Sequence, residues 1–508
     1  MNRIQRALLG ATAAIACIAC MSGAASAQSV PVKPATSIGV APGEAGQTRN
    51  AANPTVTAFP AAAAGDGATT GGYNLSRWAE DWRVMRDPAK RDDPLDRLKF
   101  LPLNDDIYLT LSGEARLRMN LTTNPNLREA PHQRQDITRI FAAADLHIGP
   151  HLRVFGELAH GGISGRNLGA PAASLRNDLV YQQYFVEGNF QVGGIAVGAR
   201  YGRQEFTDGP NLLVSQRDNN TIRYTLNGIR GWARGGRLRV DLFDLKPTAY
   251  GDLGTDDDVI DPARRFSGAT FGMALPTRWL GGSKLYLVPF VWRGRNDVGT
   301  WGGRIGPAER FYAGARLWGE AGPLTIDWSV NHQWGTFIDQ DIDAWQLLFA
   351  QTYRIGSAKT APRIGFHADY ASGGGGYGGR KLRNAYAPFG NNIYYSYQLF
   401  LTPSNLIAFA PNVTVSPFEK LRVTAEYQLA WRDSTTDAVY RANGQPFAGT
   451  QNVRDSKIAD VARLQAVWSI TPRLSFTGRY EHLAAGPSLT GAGFRSSDFL
   501  AGWLSFRF

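Results

Sequence analysis

The sequence predicts an all-β fold: a transmembrane antiparallel up-and-down β-barrel of about 18 strands, with short periplasmic turns and long extracellular loops. Three observations predict it. Apolar and polar residues alternate with period two over stretches longer than a soluble strand needs. Short and long connections take turns between those stretches. The final stretch is apolar on one face and ends on Phe508.

The chain opens with what reads as a secretory signal, residues 1–27. Arg3 and Arg6 supply a positive start and Ala7 to Met21 an apolar core. Ala25-Ser26-Ala27 is an A-x-A cleavage site that makes Gln28 the first mature residue. A lipoprotein reading at Cys17 or Cys20 is weaker, because Ala and Cys stand where a lipobox wants Leu. Both cysteines of the chain lie in this segment, which excludes a disulfide framework, a thiolate metal site and a Cys nucleophile downstream. The net charge of +11 suits a polyanion or an anionic lipid surface, and export argues against nucleic acid. After the signal, no apolar run reaches the ~18 residues that a membrane helix requires.

Residues 28–72 are rich in Ala, Gly, Pro and Thr and nearly devoid of large apolar side chains, the composition of a disordered leader. Residues 73–103 change character and are expected to form a periplasmic N-terminal segment, a candidate plug, ahead of the barrel at 104–508. From Ile107 the alternation takes over. Ile107, Leu109, Leu111, Leu117, Met119 and Leu121 alternate with Tyr108, Thr110, Ser112, Glu114, Arg116, Arg118 and Asn120. The same pattern recurs at 152–158, 421–431 and 474–481.

A soluble sandwich also alternates, so the connections decide. Tight ones are expected at Gly149-Pro150, Gly193-Gly194, Gly235-Gly236, Gly281-Gly282, Gly322-Pro323, Ile355 to Pro362, Pro417-Phe418 and Thr471-Pro472. Long polar ones fall near 122–135, 161–178, 204–219, 247–265, 294–308, 335–341, 372–402, 433–457 and 484–497. Strict alternation of the two kinds gives eighteen strands with both ends on the short-turn side. The last strand places Leu500, Gly502, Leu504, Phe506 and Phe508 on one face; a soluble protein would avoid such an edge, and closure removes it. Trp232, Trp292, Trp318, Trp328, Trp334, Trp345, Trp431, Trp468 and Trp503 fall near expected strand ends, where indoles favour the headgroup interface.

Several segments together resemble the alginate export family of outer-membrane barrels. They are Trp78-Ala79-Glu80-Asp81-Trp82-Arg83 and Leu98-Lys99-Phe100-Leu101-Pro102-Leu103, then Leu111 to Arg118, and Arg200-Tyr201-Gly202-Arg203-Gln204. Asp341 to Trp345, Pro362 to Gly365, Asp369 to Gly373 and Ser404 to Leu406 follow in consistent order. The resemblance implies an eighteen-stranded pore and, in its narrowest form, export of alginate through an electropositive constriction with help from periplasmic secretion machinery. Leu382 to Phe389 departs from the family's pattern and puts the longest outer loop in question.

With the apolar face toward outer-membrane lipid and lipopolysaccharide, the opposite face lines the lumen. Parity assigns it Arg116, Arg118, Arg139, Arg153, Arg200, Arg223, Arg239, Arg310, Arg316, Arg363, Arg422, Arg463, Arg479 and Arg507. Its acidic residues are fewer: Glu114, Asp145, Glu157, Asp241, Asp327, Asp369, Glu426 and Glu481. Such an excess of guanidinium groups favours anions and can grip carboxylates with two bonds. The bland reading is that lumen charges pair only with one another. Arg200 and Arg203 carry the family-like motif, and Gly202 leaves open which of them faces inward.

No cofactor or metal site is read. The acidic run Asp252, Asp256, Asp257, Asp258 and Asp261 lacks the ligand order of a calcium loop. The glycines after Ser372 lack the Lys and helix of a phosphate loop. The expectation is a non-enzymatic channel for anionic or polar solutes, polyuronate among them. A barrel hydrolase and a non-conducting adhesin or structural barrel are the alternatives.

Overall fold

The computed structural model describes residues 73–251, 254–276 and 283–508. The expected signal at 1–27, the leader at 28–72, the turn at Gly281-Gly282 and Asp252 lie outside the described residues. The alternating stretches form a closed antiparallel barrel of 18 strands. In chain order these are β1 (Ile107–Thr122), β2 (Gln133–Ile148), β3 (Leu152–Ser164), β4 (Asn177–Val192), β5 (Ile195–Gln204) and β6 (Leu226–Gly235). Next come β7 (Leu238–Ala249), β8 (Arg264–Ala274), β9 (Lys284–Trp301), β10 (Arg304–Ala321), β11 (Leu324–Phe337) and β12 (Gln340–Arg354). The wall is completed by β13 (Arg363–Ala371), β14 (Leu406–Phe418), β15 (Leu421–Trp431), β16 (Lys457–Ser469), β17 (Leu474–Ala485) and β18 (Ser497–Arg507). Each strand pairs with its sequence neighbour, and β1 pairs with β18 from Glu114↔Arg507 to Thr122↔Phe499.

Period two sorts the side chains. Leu117, Val154, Leu158, Val186, Leu242, Phe409 and Leu504 stand exposed on the outer surface, while Glu114, Arg139, Glu157, Arg239 and Asp241 are buried on the inner one. A closed sheet satisfies its main-chain groups within the wall, which lets strands cross hydrocarbon. At the seam, Gly113 N–H donates to the Phe508 carbonyl at 3.0 Å and Phe508 N–H to the Gly113 carbonyl at 3.1 Å. A Cβ at position 113 would come within 2.4 Å of the Phe508 ring, so the ring keeps this place only over a glycine.

Two expected long connections are instead two-residue hairpins. The stretch near 294–308 continues as strand, so that β9 and β10 turn at residues 302–303, and β11 and β12 turn at 338–339. Polarity was the misleading signal. Above the membrane both faces of a strand meet water, and exposed pairs such as Arg293–Glu309 sit on the outer face there. Gly302 and Gly303, at φ +55° and +77°, give the left-handed pair that a tight hairpin of this hand needs.

Residues 73–103 enter the periplasmic end of the barrel. Short turns at Arg77–Ala79, Arg83–Arg86, Pro88–Lys90 and Pro94–Lys99 lead into Leu101–Pro102, which adds to the start of β1. Tyr73, Trp82, Met85 and Phe100 form one small core, and Trp78 packs with Ala143, Phe155 and Phe185 of the wall. Arg77 donates to Glu114 at 2.6 Å and to Glu157 at 2.7 Å, and Arg473 reaches Asp93 at 2.7 Å and Asp96 at 2.6 Å.

Lys99 gives this docking a pH dependence. Burial pushes its ammonium down to about 7; Glu80 opposes the shift, and Arg473, Arg507 and Arg77 add to it. The neutral amine keeps its bonds to the Ser112 hydroxyl at 2.8 Å and the Leu111 carbonyl at 3.1 Å. Because the docked pKa lies below the free value of 10.5, docking strengthens as pH rises from about 7 to about 10 and weakens as pH falls through that window. Protease protection of residues 73–103 is therefore expected to be greater at about pH 9 than at about pH 7, and Lys99→Met should flatten the difference.

The lumen is not uniformly polar. Connections 205–225 and 372–405 fold inward and meet at a Val214↔Phe389 bridge. Phe206, Leu213 and Phe389 from these connections pack against Phe243, Phe266, Phe290 and Trp292 of the wall. Trp292 and Trp318 are buried rather than at the headgroup interface, and Trp232 and Trp503 lie on the inner face under arginines. Trp334, Trp345 and Trp468 are exposed on the outer face.

Candidate functional site

Four lumen arginines converge on one loop tip. Arg116 and Arg118 come from β1, Arg139 from β2 and Arg479 from β17. Connection 205–225 carries the turn Arg217-Asp218-Asn219-Asn220 into their midst, with the Asn220 N–H donating to the Arg217 carbonyl at 2.9 Å. The Asp218 carboxylate accepts from Arg139 at 3.0 Å, from Arg116 at 3.2 Å and from Arg223 of its own connection at 2.8 Å. Its carbonyl accepts from Arg139 at 2.9 Å and Arg116 at 3.2 Å. The Asn219 amide oxygen accepts from Arg118 at 3.0 Å and Arg479 at 3.1 Å.

The arginines are held as a set from behind. The Trp503 ring lies under Arg118 at 5.0 Å and Arg479 at 4.9 Å, and Tyr397 lies 4.8 Å from Arg479. Glu114 takes Arg139 at 3.0 Å through Nε, Arg116 at 3.3 Å and Arg77 at 2.6 Å. Burial pushes the Asp218 carboxyl up, but Arg116, Arg223 and Arg139 outweigh it and hold it well below the ordinary carboxylate range. The Asp218 side chain is nonetheless 30% exposed, so lumen water reaches it.

The other expected arginines fall into distinct places. Arg153 with Asp145 at 2.5 Å, Arg239 with Asp241 at 2.8 Å and Arg316 with Asp327 at 2.7 Å form charge pairs on the lumen wall. Arg200 faces inward, bound to Glu187 at 2.8 Å, with its guanidinium 3.6 Å from the Trp78 ring. Arg310 donates to Gln333 at 2.7 Å, Arg463 binds Glu426, and Arg507 reaches Glu80 at 3.3 Å. Arg363 and Arg422 sit at the periplasmic starts of β13 and β15, away from the tip.

One placement differs from the parity assignment, and the choice left open between Arg200 and Arg203 receives an answer. Arg223 belongs to the inward connection, not to a wall strand, and reaches Glu205 at 3.1 Å and the Leu75 carbonyl at 2.8 Å. Arg203 shares the outer side of Tyr201, because β5 keeps its register through Gly202. It donates to Asn227 at 3.1 Å, the Tyr181 carbonyl at 3.0 Å and the Asp258 carbonyl at 3.0 Å, beneath connection 250–263.

Sequence reasoning missed Asp218, Asn219 and Glu205, which lie in a connection, and Arg77, which lies in the segment ahead of β1. The run Arg217 to Asn220 has turn chemistry, but nothing in it distinguishes a turn in water from one inside a barrel. No group of three or more His, Cys, Asp or Glu suited to a metal occurs among the described residues.

Solved outer-membrane channels share this architecture. Acinetobacter baumannii OccAB1 is similar at a TM-score of 0.52 and 12% identity, covering 79% of this chain and 96% of that one. Pseudomonas aeruginosa OpdK is similar at 0.52 and 11%, covering 80% and 99%. A BenF-like porin from Pseudomonas fluorescens Pf-5 is similar at 0.52 and 10%, covering 80% and 100%. At such identity the likeness shows the fold, that of an outer-membrane porin. No curated protein matches the chain. The pattern of the alginate export family matches residues 107–502, nearly the whole barrel, and the chain belongs to the alginate export family.

Proposed function

We propose that the protein is a channel for anionic solutes, carboxylates foremost and polyuronate among them, with its selectivity set by Arg116, Arg118, Arg139 and Arg479. The convergence of these four side chains on one carboxylate-bearing tip carries the reading. Arg118 and Arg479 matter most in it. Their partners at the tip and on the wall are amide oxygens, of Asn120, Asn219 and Gln465, so their charge is less neutralised than that of the Arg–Asp wall pairs. In a narrow lumen walled by protein such charge lowers the energy of an anion and raises that of a cation. Residues 73–103 serve, in this reading, as a constriction at the periplasmic mouth.

Planar-bilayer recording under a salt gradient tests the proposal. The wild-type reversal potential is expected to show anion preference. Changing Arg118 and Arg479 together to Glu should reverse it, while Arg203→Ala, on the outer side of the wall, should leave it unchanged. Cation preference in the wild type would overturn the reading. Vanillate, carried by one OpdK structure, is a convenient first carboxylate to add.

A further inference from the structure

Resting on that reading, we infer that the Asp218 tip is an internal stand-in for the solute: it occupies a carboxylate-binding site built by Arg116, Arg139 and Arg223, and a carboxylate solute must displace it to pass. Three observations converge on this. First, the tip makes the contacts a bound carboxylate would make, with Asp218 oxygens accepting from three guanidinium groups at 2.8 to 3.2 Å. Second, the site is built ahead of the tip. Arg139 is buried and anchored by Glu114, and Arg116 is fixed by the Ser505 hydroxyl at 2.9 Å. Third, the tip is held under backbone strain. Arg217 adopts φ +56°, a left-handed conformation disfavoured for a residue with a side chain, which persists only where the surroundings impose it.

The exchange is charge-neutral. One carboxylate leaves the guanidinium groups as another arrives, so Arg116, Arg139 and Arg223 keep a second anion beside the fixed Glu114 throughout. A site emptied of both tip and solute would leave three guanidinium groups to one carboxylate, and an uncharged solute could not make good the difference. Displacement also has to loosen the ties of the tip to its surroundings, where the Thr221 and Ile222 N–H groups donate to the Ser174 carbonyl, each at 3.0 Å, and Ile222 packs against Phe141, Ala159 and Val180. A tethered ligand competes at an effective concentration in the millimolar range, so its removal should strengthen solute binding roughly tenfold or more.

Asp218→Asn keeps the shape of the tip and removes its charge. In single-channel recording, galacturonate is expected to block or modulate the Asp218→Asn current at roughly a tenth of the concentration needed for the wild type. Asp218→Glu should behave as the wild type, and galactose should act alike on all three. Equal galacturonate concentrations for Asp218→Asn and wild type would overturn the inference. Hydrogen exchange on the unaltered protein supplies a second test that does not depend on a variant folding. Amides of residues 218–222 should exchange faster when galacturonate is added and not when galactose is; unchanged or slower exchange would overturn it. An anion-selective wild type with no such response sinks the stand-in alone, whereas a cation-selective wild type sinks the channel reading beneath it.

Discussion

Glu114→Ala is expected to cost the barrel about 3–5 kcal/mol, because it removes the one carboxylate shared by five guanidinium groups in a buried site. Arg77 lies at 2.6 Å, Arg116 at 3.3 Å, Arg507 at 3.7 Å and Arg223 at 3.9 Å, with Arg139 closer still, and the Glu114 side chain is fully buried. Three of these residues belong to the wall and two to segments folded inside it, so Glu114 ties the wall to its contents. Without it, desolvated positive charges face one another. The neighbouring Glu157, Glu205 and Asp218 already have partners of their own. Glu114→Gln retains two acceptor sites at most and should recover only part of the loss. Urea unfolding in phospholipid vesicles, followed by tryptophan fluorescence, measures the difference. A loss below about 1 kcal/mol, the worth of an exposed ion pair, would show that water penetrates the cluster far more than its burial implies.

Removing residues 73–103 is expected to raise single-channel conductance severalfold and to weaken anion preference in the same stroke. Trp78 packs edge-on against Phe185, which stacks on Phe155; it is capped by Arg200 at 3.6 Å, and its carbonyl accepts from Arg153. Deleting this plug candidate would open the periplasmic mouth. It would also strip Arg77 from Glu114 and Glu157, and Ser76 from Glu205, leaving those carboxylates facing the lumen water. Trp78→Ala is the milder variant and should raise conductance with less change in selectivity, since it adds no charge. Conductance identical to that of the wild type would place the segment outside the current path.

The wall was legible in the sequence and its contents were not. Period two survives in a barrel because each strand repeats one choice, lipid or lumen, and Leu117, Arg118, Met119 and Asn120 state it without tertiary help. Even the hairpins at 302–303 and 338–339, expected as long polar connections, left the strand count intact, since a short loop and a long one both join two strands. Trp292 reads as an interface residue, because indoles near strand ends favour the headgroups. It is buried inside instead, where Phe389 and Phe206, from connections remote in sequence, come to meet it. Arg203 was undecidable because the neighbouring Gly202 could mark a bulge; Gly202 takes a φ of +138°, which favours glycine, yet the pairing of β5 runs through it without a slip. Asp218 carries the sharpest lesson. Its role depends on where a flexible-looking turn is placed, and no local pattern records that placement.

The closing pair of strands joins residues such as Arg116 and Ser505, 389 positions apart. Until that junction forms, both margins of the growing sheet present bare amide and carbonyl groups to any other chain nearby, an invitation to aggregate. Biogenesis should therefore be governed by a slow final zippering step, and agents that shield the two margins in transit should matter more to yield than any change to the strands between them.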